Sequence, residues 1–258
     1  MTLTFTHNGH RYQLDGSKAD SVTTICGVLP KGGLVYWAAK LIAEAVADQP
    51  STIDAVRALG RDAMIAALRA LPDQARDKAG KRGTLLHDLA TGLVKGEPFE
   101  ADLIADPDIE ACLVGLARWF DDVGFEAELI ERPVGSRAHR YAGRFDVVGT
   151  MERDRSERWL IDFKTSSGVY GDTALQTAAY ARAEFYLDDV GTERAMPHVD
   201  RIGVLHVRPD LAELYDLGDI DVALAEFLAA QTIYRSAQRR DALVREPLQL
   251  SNVVRALF

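Results

Sequence analysis

Asp146 and Asp162 stand out among the residues of this chain that could do chemistry, because each lies on an apolar, β-branched segment. Asp162 opens Asp162-Phe163-Lys164, 16 residues after Asp146, which closes Gly143-Arg144-Phe145-Asp146. Two carboxylates are the hard oxygen donors that Mg²⁺ or Mn²⁺ prefers. A lysine beside them can orient or deprotonate a water, or neutralise a phosphate. The segments that must hold these groups, RFDVVG and RWLIDFKTS, read as neighbouring strands joined by the polar turn MERDRSE. Alternation along a strand puts Asp162 and Lys164 on one face and sends Ile161 and Phe163 into the core, while Asp146 points away from Phe145 and Val147. Taken alone, D-x-K also ends many solvated strands.

Downstream, GDTALQTAAYARAEFY reads as an amphipathic helix with Asp172 or Thr173 as N-cap. Gln176 and Tyr180, four apart, share one of its faces. In this order, G-x-x-D, D-x-K and Q-x-x-x-Y resemble the pattern of PD-(D/E)XK nucleases, in the RecB-like branch that includes many phage exonucleases. The resemblance is close from Arg82 to about Tyr186 and looser over the C-terminal strand and helix. The branch carries a histidine on an earlier helix as a further metal ligand, and Arg82-Gly83-Thr84-Leu85-Leu86-His87 looks like that element. The opening SVTTICGVLP…LVYWAAK is similar to what phage-encoded members place before the nuclease core, and its residues suggest no role.

The resemblance implies an α/β (α+β-like) fold: a restriction-endonuclease-like core with a central mixed β-sheet flanked by helices and a helical N-terminal elaboration. It implies Asp146, Asp162 and Lys164 as catalytic residues. One or two Mg²⁺ or Mn²⁺ ions would be held by His87, Asp146, Asp162 and the backbone carbonyl of Phe163. Gln176, Tyr180, Thr165, Arg82 and Arg144 would lie against the substrate, with Gln176 and Tyr180 contacting the DNA backbone or supporting the lysine and metal shell. Glu128 and Glu131 lie on the preceding strand, whose parity the site residues do not fix. Glu131 is expected to face solvent, with the rim of the site as the alternative. His139, His198 and His206 have no partner at metal-ligand spacing.

The chain has 258 residues, enough for one substantial core, and a 47% apolar fraction ordinary for a globular protein. Its two cysteines, Cys26 and Cys112, are too few for a disulfide framework or a four-cysteine iron–sulfur cluster, in contrast to several RecB-like nucleases. They suit a reducing cytoplasm, that of a bacterial host if the chain is phage-encoded. MTLTFTHNGHRYQL shows no signal peptide, and LVYWAAKLIAEAVA, interrupted by Lys40 and Glu44, is too short to span a bilayer. A net charge of −9 argues against a protein that coats DNA nonspecifically, so basic groups must act locally. Candidates are Lys78, Lys81 and Arg82; Arg137 and Arg140; and Arg235, Arg239 and Arg240. No phosphate-cradling or acyl-transfer motif is present.

The expected order is a hairpin around Asn8-Gly9, a short strand or turn over SVTTICGVLP, and helices at 34–47, 53–71 with a break near Gly60, 74–94 with a division at Gly80, and 109–123. Strands follow at 126–134, 141–151 and 158–165, then the Gln176 helix, strands at 201–207 and 212–216, and a helix from Ile220 to about Arg239. Residues 1–71 form the elaboration and 72–258 the nuclease core of one domain. The function expected is a metal-dependent deoxyribonuclease, an exonuclease working on DNA ends in phage or bacterial recombination and repair. Its partners are DNA, with a homo-oligomer or a recombination partner such as a single-strand annealing protein admitted, and no membrane. The alternative is a non-catalytic module that grips DNA ends or a partner.

Overall fold

The computed structural model describes residues 2–6, 11–98, 106–166 and 168–246. The Asn8-Gly9 turn lies outside them. β1 (Leu3–Thr6), β2 (Arg11–Leu14) and β3 (Ser17–Ser21) form an antiparallel meander. SVTTICGVLP folds as a one-turn helix, α1 (Val22–Cys26), in place of a strand. Three helices follow: α2 (Gly32–Asp48), α3 (Pro50–Ala58) and α4 (Arg61–Lys95). The break near Gly60 is present, and that residue takes φ +103°, a conformation open to glycine. The divisions expected at Leu71–Pro72 and Gly80 are absent. α4 runs through both positions, with α2 and α3 packed alongside it.

α5 (Pro107–Val123) starts where Asp106 accepts the Asp108 amide, with Pro107 in its first turn, and ends at left-handed Gly124. β4 (Phe125–Ser136), β5 (Tyr141–Met151) and β6 (Asp154–Lys164) are successive antiparallel neighbours. The polar turn is tighter than MERDRSE suggests, because Met151 already pairs with Asp154. α6 (Asp172–Ala181) leads through two three-residue strands, β7 (Phe185–Leu187) and β8 (Glu193–Ala195), to β9 (Arg201–Arg208). β9 runs parallel to β6, and β10 (Leu211–Asp216) pairs antiparallel on its far side. α7 (Ile220–Ala237), capped by Asp219, follows, and a short 3-10 turn at Arg240–Leu243 comes after it.

The result is a curled mixed sheet with helices on both sides. Leu86, Leu89 and Leu116 of α4 and α5 pack on Val147, Ile161 and Leu205. On the opposite side Leu175, Ala178 and Phe227 of α6 and α7 pack on Val148, Leu160 and Ile202. Adjacent residues Leu160 and Ile161 thus enter different cores, as strand alternation requires. Burying each such side chain contributes about 1.5–3 kcal/mol. This double-sided packing fixes β5 and β6 as the frame from which Asp146, Asp162 and Lys164 project. Among the described residues, no helix is long and apolar enough to cross a membrane.

Candidate metal centre

Five elements supply His87, Glu131, Asp146, Asp162, Lys164 and Gln176 to the lining of a cavity of about 590 Å³. β5 and β6 supply the two aspartates. The Phe163 amide donates to Asp146 Oδ2 at 2.7 Å, which ties one strand's carboxylate to the other strand's backbone. His87 descends from α4, its Nε2 2.9 Å from Asp146 Oδ1 and 2.9 Å from Glu131 Oε1. His87, Glu131 and Asp146 each place a ligand atom within 4.8 Å of the others, a spacing that could hold a metal ion.

Glu131 is the residue that sequence reasoning misplaced. It faces the site, and its side chain is largely buried. An irregularity between Ala127 and Leu129 inserts one extra residue into β4, so Glu131 falls opposite Asp146, between the Ile130↔Val147 and Arg132↔Phe145 pairs. Glu131 also takes φ +52°, an uncommon conformation for a residue with a Cβ. Strand parity read from sequence cannot anticipate either feature.

Asp162 stands beside this trio, 2% exposed. Its Oδ1 accepts from Gln176 Nε2 at 2.9 Å, and its Oδ2 lies 2.6 Å from Lys164 Nζ. Burial, then repulsion from Asp146, push its acid up to about 7 against the pull of Lys164. Burial works against charge on Lys164, but Asp162 and Asp146 outweigh it and hold the ammonium above its ordinary range. Lys164 is therefore a cation at neutral pH. Burial likewise works against charge on His87, and the Asp146 and Glu131 carboxylates overcome it, raising the imidazole to about 11. The raised value favours an imidazolium whose Nε2–H faces the two accepting carboxylates.

The donor set could hold a metal ion. Glu131 Oε1 and Asp162 Oδ2 are buried without a well-directed hydrogen bond, each left with only a charged neighbour. One imidazole and two carboxylates also form a mixed nitrogen–oxygen set suited to Mn²⁺ as well as Mg²⁺.

The remaining expected residues divide. Arg144 lies at the rim with its Nε 2.9 Å from Glu131 Oε2. Arg82 pairs with Asp108 at 3.2 Å, and Thr165 approaches Gly83 where β6 meets α4. Phe163 brings its amide N–H to the site. Tyr180 is 2% exposed, and burial pushes its phenol well above the ordinary range. Tyr180 still lines the cavity, and of its two expected roles, DNA contact or support of the lysine and metal shell, its burial fits the second. His206, set aside on sequence, is buried opposite Lys164, its Nε2 2.7 Å from the Ser166 carbonyl. It pins the loop that follows the lysine.

Tyr180 also explains the glycine of G-x-x-D. A Cβ on Gly143 would lie 2.4 Å from Tyr180 Cε1. Gly143→Ala is expected to destabilise the fold by about 1–3 kcal/mol, as overpacking does. Thermal melting should register a drop of several degrees, and an unchanged midpoint would refute this packing account.

Comparison with protein-family models and with curated proteins finds no match. Among solved structures, the chain is similar to one described as the crystal structure of SSO0001. The identity is 17% and the TM-score 0.26, over 57% of this chain and 66% of that one. A likeness at that level carries no argument about fold or function.

Proposed function

We propose that this chain is a divalent-metal-dependent deoxyribonuclease of the PD-(D/E)XK type, built on a restriction-endonuclease-like core and acting on DNA ends in phage or bacterial recombination. One observation carries the reading. Three ligand atoms of His87, Glu131 and Asp146 gather within 4.8 Å of one another, beside a buried Asp162–Lys164 ion pair and in the same cavity. A purely structural ion-pair network has no chemical need for two such clusters side by side.

His87, Glu131 and Asp146 would hold a Mg²⁺ or Mn²⁺ ion, with Asp162 next to them. When bound, such an ion neutralises phosphate charge and lowers the pKa of a coordinated water. The protein's own groups have distinct tasks. Lys164, kept charged, orients the attacking water and offsets negative charge that grows on the phosphorus oxygens. Asp162 and Gln176 fix the lysine's position through the 2.6 and 2.9 Å contacts. Arg144 and Thr165 at the rim, with Arg82 further out, would meet the phosphates on either side of the scissile bond.

The test is degradation of fluorescently labelled linear DNA with Mg²⁺, with Mn²⁺ and with EDTA. Metal-dependent loss of the label that EDTA stops supports the reading. Intact DNA under both metals overturns it and leaves a DNA-end- or partner-binding module. A covalently closed circle run in parallel separates cutting from ends and cutting within the strand.

A further inference from the structure

His206 is buried, 4% exposed, and supplies no ligand atom to the His87–Glu131–Asp146 group. Its place in the sheet is specific. β6 and β9 pair in parallel from Trp159↔Arg201 up to Lys164↔His206, and β6 ends there. In the row across the sheet, His206 stands between Lys164 of β6 and Glu213 of β10. Beyond Lys164 the chain leaves the ladder, so its next carbonyls need donors from elsewhere. The imidazole supplies one, with Nε2 2.7 Å from the Ser166 carbonyl oxygen. A carbonyl only accepts, so Nε2 carries the proton. On β10 the Tyr215 ring meets the imidazole edge-on, centroids 6.3 Å apart, and steadies its plane. A side chain thus extends the sheet's hold two residues past the lysine.

The segment held in this way is bounded by site residues. Lys164, Thr165 and Ser166 line the cavity, whereas His206 does not. Ser166 Oγ donates to the Gly168 carbonyl at 2.7 Å, which carries the constraint onward. α6 then begins at Asp172, and its Gln176 donates to Asp162. The lysine needs such a hold. It is the last residue of its strand, where structure frays first. Its ammonium rides on a flexible four-carbon stem. The 2.6 Å contact with Asp162 orients the tip of that stem but not the backbone that carries it.

We infer that His206 is a positioning residue of this site: its hydrogen bond to the Ser166 carbonyl holds the loop after Lys164, and so sets where the ammonium and the Thr165 hydroxyl stand. The inference rests on the nuclease reading for the reaction these groups serve, whereas the hold on the loop is measured without cleavage. A histidine that only filled space could be replaced by an apolar side chain of similar size. A histidine that holds the loop must keep a donor. Ser166 is exposed, so without the imidazole its carbonyl can turn to water. Losing the donor therefore frees the loop and leaves the core folded.

His206→Leu removes the donor and keeps bulk, and His206→Gln returns an N–H near the place of Nε2. Cleavage of labelled DNA at saturating Mn²⁺ should show kcat about 10–100-fold lower in His206→Leu, the cost of a misplacement of about 1 Å, with KM changed less. His206→Gln should recover most of that loss. Mn²⁺ affinity should match the parent in both variants. Amide hydrogen exchange at Thr165, Ser166 and Gly168 should be faster in His206→Leu and parent-like in His206→Gln. His206→Phe, which keeps a ring against Tyr215 but has no donor, repeats the test on a second fold-compatible variant and should behave as His206→Leu does.

Parent-like turnover in His206→Leu and His206→Phe overturns the inference. So does an equal loss in His206→Gln, which would make packing and not the donor responsible. A fall in Mn²⁺ affinity overturns it as well, by moving the effect into the metal shell. If the parent degrades no DNA with either metal, the nuclease reading falls and the exchange rates decide alone. Faster loop exchange without the donor, restored by His206→Gln, then keeps the hold on the loop, and unchanged exchange removes it.

Discussion

Lys164→Ala should lower DNA cleavage by about 10²–10⁴-fold, the range associated with losing a positioned acid–base or charge-stabilising group. Mn²⁺ affinity should change little, because the ligand atoms of His87, Glu131 and Asp146 do not include the lysine. The substitution also strands Asp162, which is 2% exposed and would keep only Gln176 as partner. Removing one member of a buried pair is costly, so a structural explanation for lost activity has to be tested directly. Lys164→Gln does so, since it can still donate to Asp162 but carries no charge. The expected pattern is a melting temperature near that of the parent for the glutamine variant, together with activity as low as that of the alanine variant. Parent-like turnover in Lys164→Gln would show that the ammonium is not needed and remove the lysine from the chemistry.

What could be read from sequence, and what could not, follows from the range of the interactions involved. β5, β6, α6 and α7 were legible because each carries its own signal: β-branched apolar runs for the strands and an amphipathic period for the helices. The cap expected at Asp172 or Thr173 is not formed: Gly171 is the N-cap of α6, and Asp172 sits inside its first turn. Asp146, Asp162, Lys164 and Gln176 stand together because two adjacent strands and the next helix bring them there, a short-range consequence of topology. His87 required a contact between α4 and the sheet, and only the family pattern pointed to it. The three-residue strands β7 and β8 are too short to show a period, and pairing with β4 creates them. α4 reads as broken at Pro72 and Gly80 because propensity is local, whereas the helix is continuous and packed against its neighbours. Glu131 was lost for a sharper reason: one inserted residue in β4 reverses which face it takes.

That misplaced glutamate governs how strongly a metal should bind and how the binding should depend on pH. With His87 raised to about 11, the imidazole is protonated across neutral pH, and an ion entering among His87, Glu131 and Asp146 must displace the proton. The sign follows: protons compete with the metal, so apparent Mn²⁺ affinity rises with pH, about tenfold per unit while pH stays below the imidazole's value. Calorimetric titration in buffers of different ionisation enthalpy should find close to one proton released per ion. Glu131→Gln removes one of the two carboxylates that hold the proton and one ligand charge. The two losses act in opposite directions on affinity near neutral pH, and only the first alters the pH slope. Affinity should fall by at least the about 10–100-fold seen for weaker, outer-shell disruptions, while His87 moves back toward its ordinary range and the pH slope flattens near and above neutrality. A variant that merely disturbed packing would lower affinity and keep the slope. An affinity for Mn²⁺ that is independent of pH in the parent chain would exclude His87 as a ligand, and an unchanged slope in Glu131→Gln would return the glutamate to the rim.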